Sequence, residues 1–246
     1  MTSQIDPTAS IARDVVFGAF CVVMADVVIE AGTIVGHHVV IHPGTKIRPN
    51  VQVQDFAVLG KRNFKTSGTG SSTKQLNRPE PLVIERDAII GTGAIVYAGS
   101  IIGEGSIIAD RAIIREGCRL GKKVKVGKQA IVEYEVSLED GVSLQAFVLV
   151  GEQMIVGKDS FLGPHVSTAC DPSMATRSGD KIHAPRIHER VRVGENCTIF
   201  PGVEIGRGTI VGAASAVARS LPEGVLALGN PARPIKRVSV DDEVSG

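Results

Sequence analysis

Residues 84–108 read IERDAIIGTGAIVYAGSIIGEGSII, and one spacing decides how they fold. Ile84, Ile90, Val96, Ile102 and Ile108 recur every six residues, and four places after each of the first four come the small residues Ala88, Ala94, Ser100 and Ser106. Six is not the helical period, but it is a multiple of the strand period, so strand alternation survives inside each unit while the unit itself repeats. The pattern continues on both sides. It runs from Ile5 through Ile11, Phe17 and onward to Val53, from Ile84 to Leu162, and again from Ile187 to Val211, giving 28 hexads over 168 of the 246 residues. None has a polar first residue. A large apolar side chain and a small one, both turned into a narrow interior, followed by a turn, make a stack of short strands. Glycines at the second place (Gly36, Gly91, Gly212) and at the fourth (Gly32, Gly93, Gly202) are expected to supply the corners.

A solenoid grows along one axis, so a chain of this length needs no division into two cores. Lys and Arg (27) nearly balance Asp and Glu (26), for a net charge of +1, which argues against bulk attraction to nucleic acid or to an acidic membrane. No apolar run reaches the roughly 20 residues of a membrane span. Met1 to Pro7 has neither a basic region nor a hydrophobic stretch of the signal-peptide kind, so a cytoplasmic protein is expected. Cys21, Cys118 and Cys197 fall on the small fifth place and read as packing residues on separate coils. Cys170 lies off the register, where a reactive thiol is one reading and an incidental one the other.

The hexads resemble those of the hexapeptide-repeat acyltransferases, and the ending Gly229-Asn230-Pro231-Ala232-Arg233 followed by Ile235 resembles the signature that closes the helix in that family. The resemblance implies an all-β fold, a left-handed parallel β-helix with three hexads per coil. At a strand spacing of roughly 4.8 Å, 28 hexads make about nine coils in a prism roughly 45 Å long. The expected organisation is a β-helix over 1–217 with two protruding loops, at 60–83 and 168–186, and a short C-terminal extension over 218–246 that packs on the last coils. If Leu59 opens a degenerate tenth hexad, the second excursion takes the place of the twenty-fifth, and both loops leave one face of the prism. Interruptions of a repeat are where binding and chemistry are expected.

Acyl transfer from a thioester needs a nucleophile freed of its proton, a donor for the oxyanion and enforced proximity. His165 occupies the outward fourth place of its hexad; one coil back, at intervals of eighteen residues, stand Phe147, Gln129 and Arg111. The four form a ladder with rungs roughly 4.8 Å apart. A sugar nucleotide along it meets Arg111 with phosphate and Phe147 with a ring, while His165 serves as base; the plainer reading of His165 is a turn residue. Thr168-Ala-Cys-Asp171-Pro172 resembles the catalytic loop of galactoside and xenobiotic acetyltransferases with Asp in place of His, and Asp171 is closer to the acidic loop of nucleotide-aminosugar N-acetyltransferases. An acceptor-only carboxylate suits an amine, though Asp-Pro is also a turn opener. By resemblance, Gly212, Ala213 and Ala214 line the pantetheine arm of coenzyme A, and Arg233, Lys236 and Arg237 meet its phosphates.

The implied function is acyl-CoA-dependent N-acyl transfer, of an acetyl or other short acyl group, to the amine of a nucleotide-linked aminosugar. Acyl-CoA is then a co-substrate, with no permanently bound cofactor and no metal, and the working unit is a homotrimer with sites in the clefts between prisms. Two alternatives remain: an O-acetyltransferase acting on a hydroxyl acceptor, and a structural or metal-binding trimer resembling γ-carbonic anhydrases. His37 and His42 have the latter family's spacing, but a catalytic zinc takes three protein ligands and no His precedes His37.

Overall fold

The computed structural model describes residues 3–63, 80–174 and 182–239. Residues 64–79 and 175–181, the middles of the two expected loops, and 240–246 at the end of the extension lie outside the described residues. The all-β, left-handed parallel β-helix implied by the resemblance is the architecture observed. Each hexad contributes one strand of two to four residues, and successive strands enter three sheets in rotation. An eleven-stranded sheet runs from Gln4–Ile5 to Ala216–Val217, a ten-stranded sheet from Ser10–Ile11 to Glu204–Ile205, and a twelve-stranded sheet from Val16–Phe17 to a C-terminal hairpin. No helix occurs among the described residues, so none is long and apolar enough to cross a membrane.

The pairing register explains the hexad. Ile95, Ile113, Ile131 and Leu149 lie opposite one another on successive coils, and so do Val96, Ile114, Val132 and Val150. The latter column points inward and is fully buried. Full burial of such a side chain stabilises by roughly 1.5–3 kcal/mol, and the prism repeats that gain at every strand. Polar residues on the fifth place are satisfied within the wall: Ser100 Oγ donates to Arg115 O (2.7 Å) and accepts from Cys118 N (3.1 Å).

The stack is longer than nine coils, at about eleven. Three strands escape a strict reading of the repeat: Val58–Lys61, Ser167–Thr168 and Ala216–Val217. Thr168 puts a polar side chain in the interior, but its Oγ1 accepts from Gly151 N (2.7 Å) and donates to Leu149 O (3.1 Å), so the strand closes with no unpaired group. The excursions are shorter than 60–83 and 168–186 because the strands extend into them, with Leu82 already buried in register before Val83–Ile84. Both leave the eleven-stranded sheet and return to the ten-stranded one, hence from one corner of the prism.

The role of the second-place glycines also differs from expectation. A Cβ on Gly194 would lie 2.6 Å from Ala213 N, so these glycines admit the backbone of the next coil, and the turn itself is made at the fourth place, where φ is positive.

After Val217 the chain forms an isolated bridge at Leu221. It then adds Val225–Gly229 parallel to Ile210–Val211 and turns back as the antiparallel strand Ala232–Arg237. The outward side chains of the eleven-stranded sheet, Val22, Val40, Val58, Ile95, Ile113, Ile131 and Leu149, form an unbroken half-buried aliphatic stripe. Lys46 and Arg119 interrupt the corresponding row of the ten-stranded sheet, and Gln52 and Lys125 that of the twelve-stranded one.

Candidate active site

Two corners flank the aliphatic stripe. The one between the twelve- and eleven-stranded sheets carries the expected ladder, and the ladder is longer than four rungs. Its fourth-place residues, all with positive φ, are Phe20, His38, Phe56, Gly93, Arg111, Gln129, Phe147, His165, Asn196 and Ala214. A side chain in this backbone region costs roughly 1–2 kcal/mol. Part of that cost is offset where the side chains stack. Phe147 and His165 lie parallel with centroids 4.8 Å apart, and Phe20, His38 and Phe56 form a second stack at 4.9 and 5.0 Å. Packing against Phe147 thus orients the exposed His165 ring. Arg111 is exposed and makes no ion pair with a described residue.

The residues assigned to pantetheine share this corner. Ala214 stands two rungs beyond His165, roughly 10 Å along the axis, and Gly212 and Ala213 precede it in the same turn. Nearer the N-terminus three third-place N–H groups of this corner are capped by the next coil, Ala19 N donating to His37 Nδ1 (2.9 Å), His37 N to Asp55 Oδ1 (2.7 Å) and Thr92 N to Asp110 Oδ1 (3.1 Å), whereas those of Asp55 and Asp110 have no partner among the described residues. Around His165 the caps are missing. The N–H groups of Ala146, Glu195 and Ala213 have no partner among the described residues. Gly212 is roofed by Leu228, whose Cδ2 would lie 1.8 Å from an added Cβ. Arg233, Lys236 and Arg237 are exposed on the last strand of the hairpin, at the end of the twelve-stranded sheet. They are therefore on the same end of the prism as Ala214.

The other corner, where both excursions leave, holds a network that the hexad register does not reveal. Arg115 grips Glu116 through two bonds (Nε to Oε2 2.8 Å, Nη2 to Oε1 2.9 Å) and reaches Glu133 Oε2 with Nη1 (3.0 Å). Asn63, at the root of the first excursion, donates to Glu116 Oε1 (3.0 Å). The Tyr97 ring receives Lys61 on one side and Arg115 on the other, at 5.4 and 5.6 Å. Glu116 is 4% exposed. Burial raises the Glu133 carboxyl above the usual range against the pull of Arg115, and burial with help from Glu152 pushes the Tyr134 hydroxyl to about 12. The signal was available in the sequence as Tyr97, Arg115 and Glu133 at intervals of eighteen, but these are second-place residues, where an outward solvated turn is the ordinary expectation.

Cys170 belongs to this corner. It is buried, burial and then Glu152 push its thiol far up, and Gly151 leaves it room, since an added Cβ there would lie 2.1 Å from Sγ. Asp171 is here too, at the other end of the strand Ser167–Thr168 from His165, so the two proposed catalytic groups sit on different corners of one protomer. Its Oδ1 accepts from Ser173 N and Ser173 Oγ, both at 2.7 Å, the pattern of a turn-opening aspartate.

The three early histidines divide between the corners. His37 caps Ala19, His38 stacks between two Phe rings, and His42 lies half-buried beside Lys61 and Arg62, where burial first and those cations second lower its pKa. Among the described residues no three His, Cys, Asp or Glu side chains gather as a metal site.

A three-sheet prism of hexads with aromatic and polar rungs on one corner defines a class of fold, and parts of the repeat match known repeat families. Residues 8–43 match the bacterial transferase hexapeptide, and residues 81–109 and 186–219 match the hexapeptide repeat of succinyl-transferase. Over these segments the chain carries the hexapeptide repeat of the transferase families. It is 44% identical over 23% of its length to 2,3,4,5-tetrahydropyridine-2,6-dicarboxylate N-acetyltransferase of Clostridium perfringens, covering 23% of that protein. It is 30% identical over 34% of its length to galactoside O-acetyltransferase of Lactococcus lactis, covering 46% of it. The chain spans less than half the length of these curated relatives. Among solved structures, LpxA of Acinetobacter baumannii is similar over 96% of this chain and 72% of that one, at 20% identity and a TM-score of 0.49.

Proposed function

We propose that this protein is an acyl-CoA-dependent acyltransferase that moves an acetyl or other short acyl group onto the amine of a nucleotide-linked aminosugar. The observation that carries the reading is a succession along one corner: an exposed, stacked His165, then uncapped N–H groups at Glu195 and Ala213, then the end of the helix with its Arg233, Lys236 and Arg237. In this reading the neutral amine attacks the thioester carbonyl, the C–N bond forms, and an uncapped corner N–H receives the oxyanion. Collapse breaks the C–S bond. His165 takes the proton that the amine loses and returns it to the departing thiolate.

The trimer is part of the same proposal. Heterologous packing about a threefold axis through the aliphatic stripe of the eleven-stranded sheet closes a ring. It sets the aromatic corner of one protomer against the excursion-bearing corner of the next. Asp171 would then complete a neighbour's site. Light scattering at micromolar concentration should return three times the chain mass of 25.9 kDa; a monomer would end this part of the reading.

O-acyl transfer is the second reading, favoured by one fact: Asp171, the residue that suited an amine, has its Oδ1 engaged by Ser173. A hydroxyl acceptor needs His165 as an obligatory base. Thiol release from acetyl-CoA, measured against nucleotide-linked aminosugars and their hydroxyl counterparts, separates the two. Release with amines alone supports the first reading, release with hydroxyls the second, and silence with both overturns both.

A further inference from the structure

The ladder on the aromatic corner has a missing rung, and we infer that it seats a nucleobase. Gly93 is the only glycine among the ten fourth-place residues of that corner. Below it stands Phe56, 57% exposed; above it stands Arg111. Rungs elsewhere on the corner stack in parallel at 4.8–5.0 Å. Skipping one leaves roughly 9.6 Å between the levels of Phe56 and Arg111, so a planar ring at the Gly93 level lies one stacking interval from each. An aromatic face on one side and a guanidinium on the other are both favourable partners for a base.

There is room at the Gly93 backbone for a side chain to begin. A Cβ built on Gly93 meets a single atom within 4 Å, Arg111 Cγ at 3.5 Å. The edge of the notch is polar and only partly committed. Gln54 Oε1 accepts from Thr92 Oγ1 (3.2 Å), which leaves its amide N–H groups, and Asp110 Oδ1 accepts from Thr92 N (3.1 Å), which leaves its second oxygen. A donor and an acceptor side by side suit the edge of a base rather than a plain hydrocarbon ring.

The notch lies four rungs from His165, roughly 19 Å along the axis, with Arg111 and Gln129 between them. A nucleotide-linked sugar anchored by its base at Gly93 would pass its phosphates by Arg111 and bring its sugar toward Phe147 and His165. That direction rests on the proposed function; the stacking geometry of the notch does not. The base has two possible sources, the nucleotide-linked acceptor and the adenine of coenzyme A.

The column supplies its own test. Phe is accommodated at this backbone position at Phe56 and Phe147, both with φ of 61°, so Gly93→Phe should fold and fill the missing rung with the protein's own ring. Gly105→Phe, at φ of 65° on another corner where a Cβ meets only Lys123 Cγ at 3.8 Å, is the matched control. Equilibrium dialysis of the full chain with uridine, thymidine, cytidine, adenosine and guanosine diphosphates, and with coenzyme A, should detect binding of at least one. Gly93→Phe and Phe56→Ala should weaken it by roughly tenfold or more, with Gly105→Phe unchanged. Loss for a nucleoside diphosphate alone assigns the notch to the acceptor; loss for coenzyme A alone assigns it to the acyl donor. Wild-type affinity in Gly93→Phe, or no binding of any of these probes to the unmodified chain, overturns the inference. Thiol release keeps this separate from the proposed function: turnover that Gly93→Phe leaves intact refutes the notch alone, and base binding without turnover refutes the enzyme alone.

Discussion

The two corners beside the eleven-stranded sheet are built from the same backbone and do opposite things with it. On the aromatic corner, rings and polar side chains stand at the fourth place, exposed, each touching mainly the rung above or below. On the charged corner, second- and third-place side chains fold over one another, and Arg115, Glu116 and Glu133 are held largely out of water, with side-chain exposures of 13%, 6% and 21%. The difference teaches where cost falls. Exposed rungs are cheap to change and available to ligands, whereas a buried network ties the root of an excursion to the helix and is expensive to disturb.

The sharpest way to break that contrast is at His165. His165→Asn should lower turnover by roughly 10²–10⁴-fold while leaving the unfolding midpoint and coenzyme A binding in place; unchanged turnover in steady-state kinetics would reduce His165 to a turn residue. Glu116→Ala is the converse experiment. It removes two of the three bonds on the Arg115 guanidinium and leaves Glu133 alone to hold it; breaking a buried pair from one side costs at most roughly 3–5 kcal/mol, which chemical denaturation should register. Replacing Arg115, Glu116 and Glu133 together by apolar residues should recover most of it, because no member of the network is then left as an unpaired buried charge. A Glu116→Ala protein as stable as the parent would mean that water reaches this corner freely.

The smallest effect is expected at Asp171. An Asn there still offers an oxygen to Ser173, so Asp171→Asn should change kcat by less than roughly threefold if the side chain only opens a turn. A loss comparable to that of His165→Asn would instead make the carboxylate a participant, reached across a subunit boundary since the two lie on different corners of one chain.

Most of the fold was legible because one period carries it, and the places where reading failed have physical causes. Thr168 hides a strand because its hydroxyl is satisfied inside the wall by Gly151 and Leu149, which no hydrophobicity pattern reports. The ladder of Arg111, Gln129, Phe147 and His165 was legible, since eighteen-residue spacing becomes adjacency once three hexads make a coil. Its stacking was not, because ring orientation depends on a positive φ that the residue types Phe and His do not announce. The charged corner was missed for another reason: Arg115 and Glu133 are ordinary turn residues until Tyr97, Glu116 and Asn63 close over them.

The regular climb of the coils gives this molecule a property that irregular folds lack. Every eighteen residues of sequence are one graduation of roughly 4.8 Å in space, so the separation between any two side chains on a corner is a whole number of graduations. Removing one coil between Gly93 and His165 would shorten that separation by a single mark without altering either end. Such a chain is a gauge, and the length of what it measures can be changed by counting.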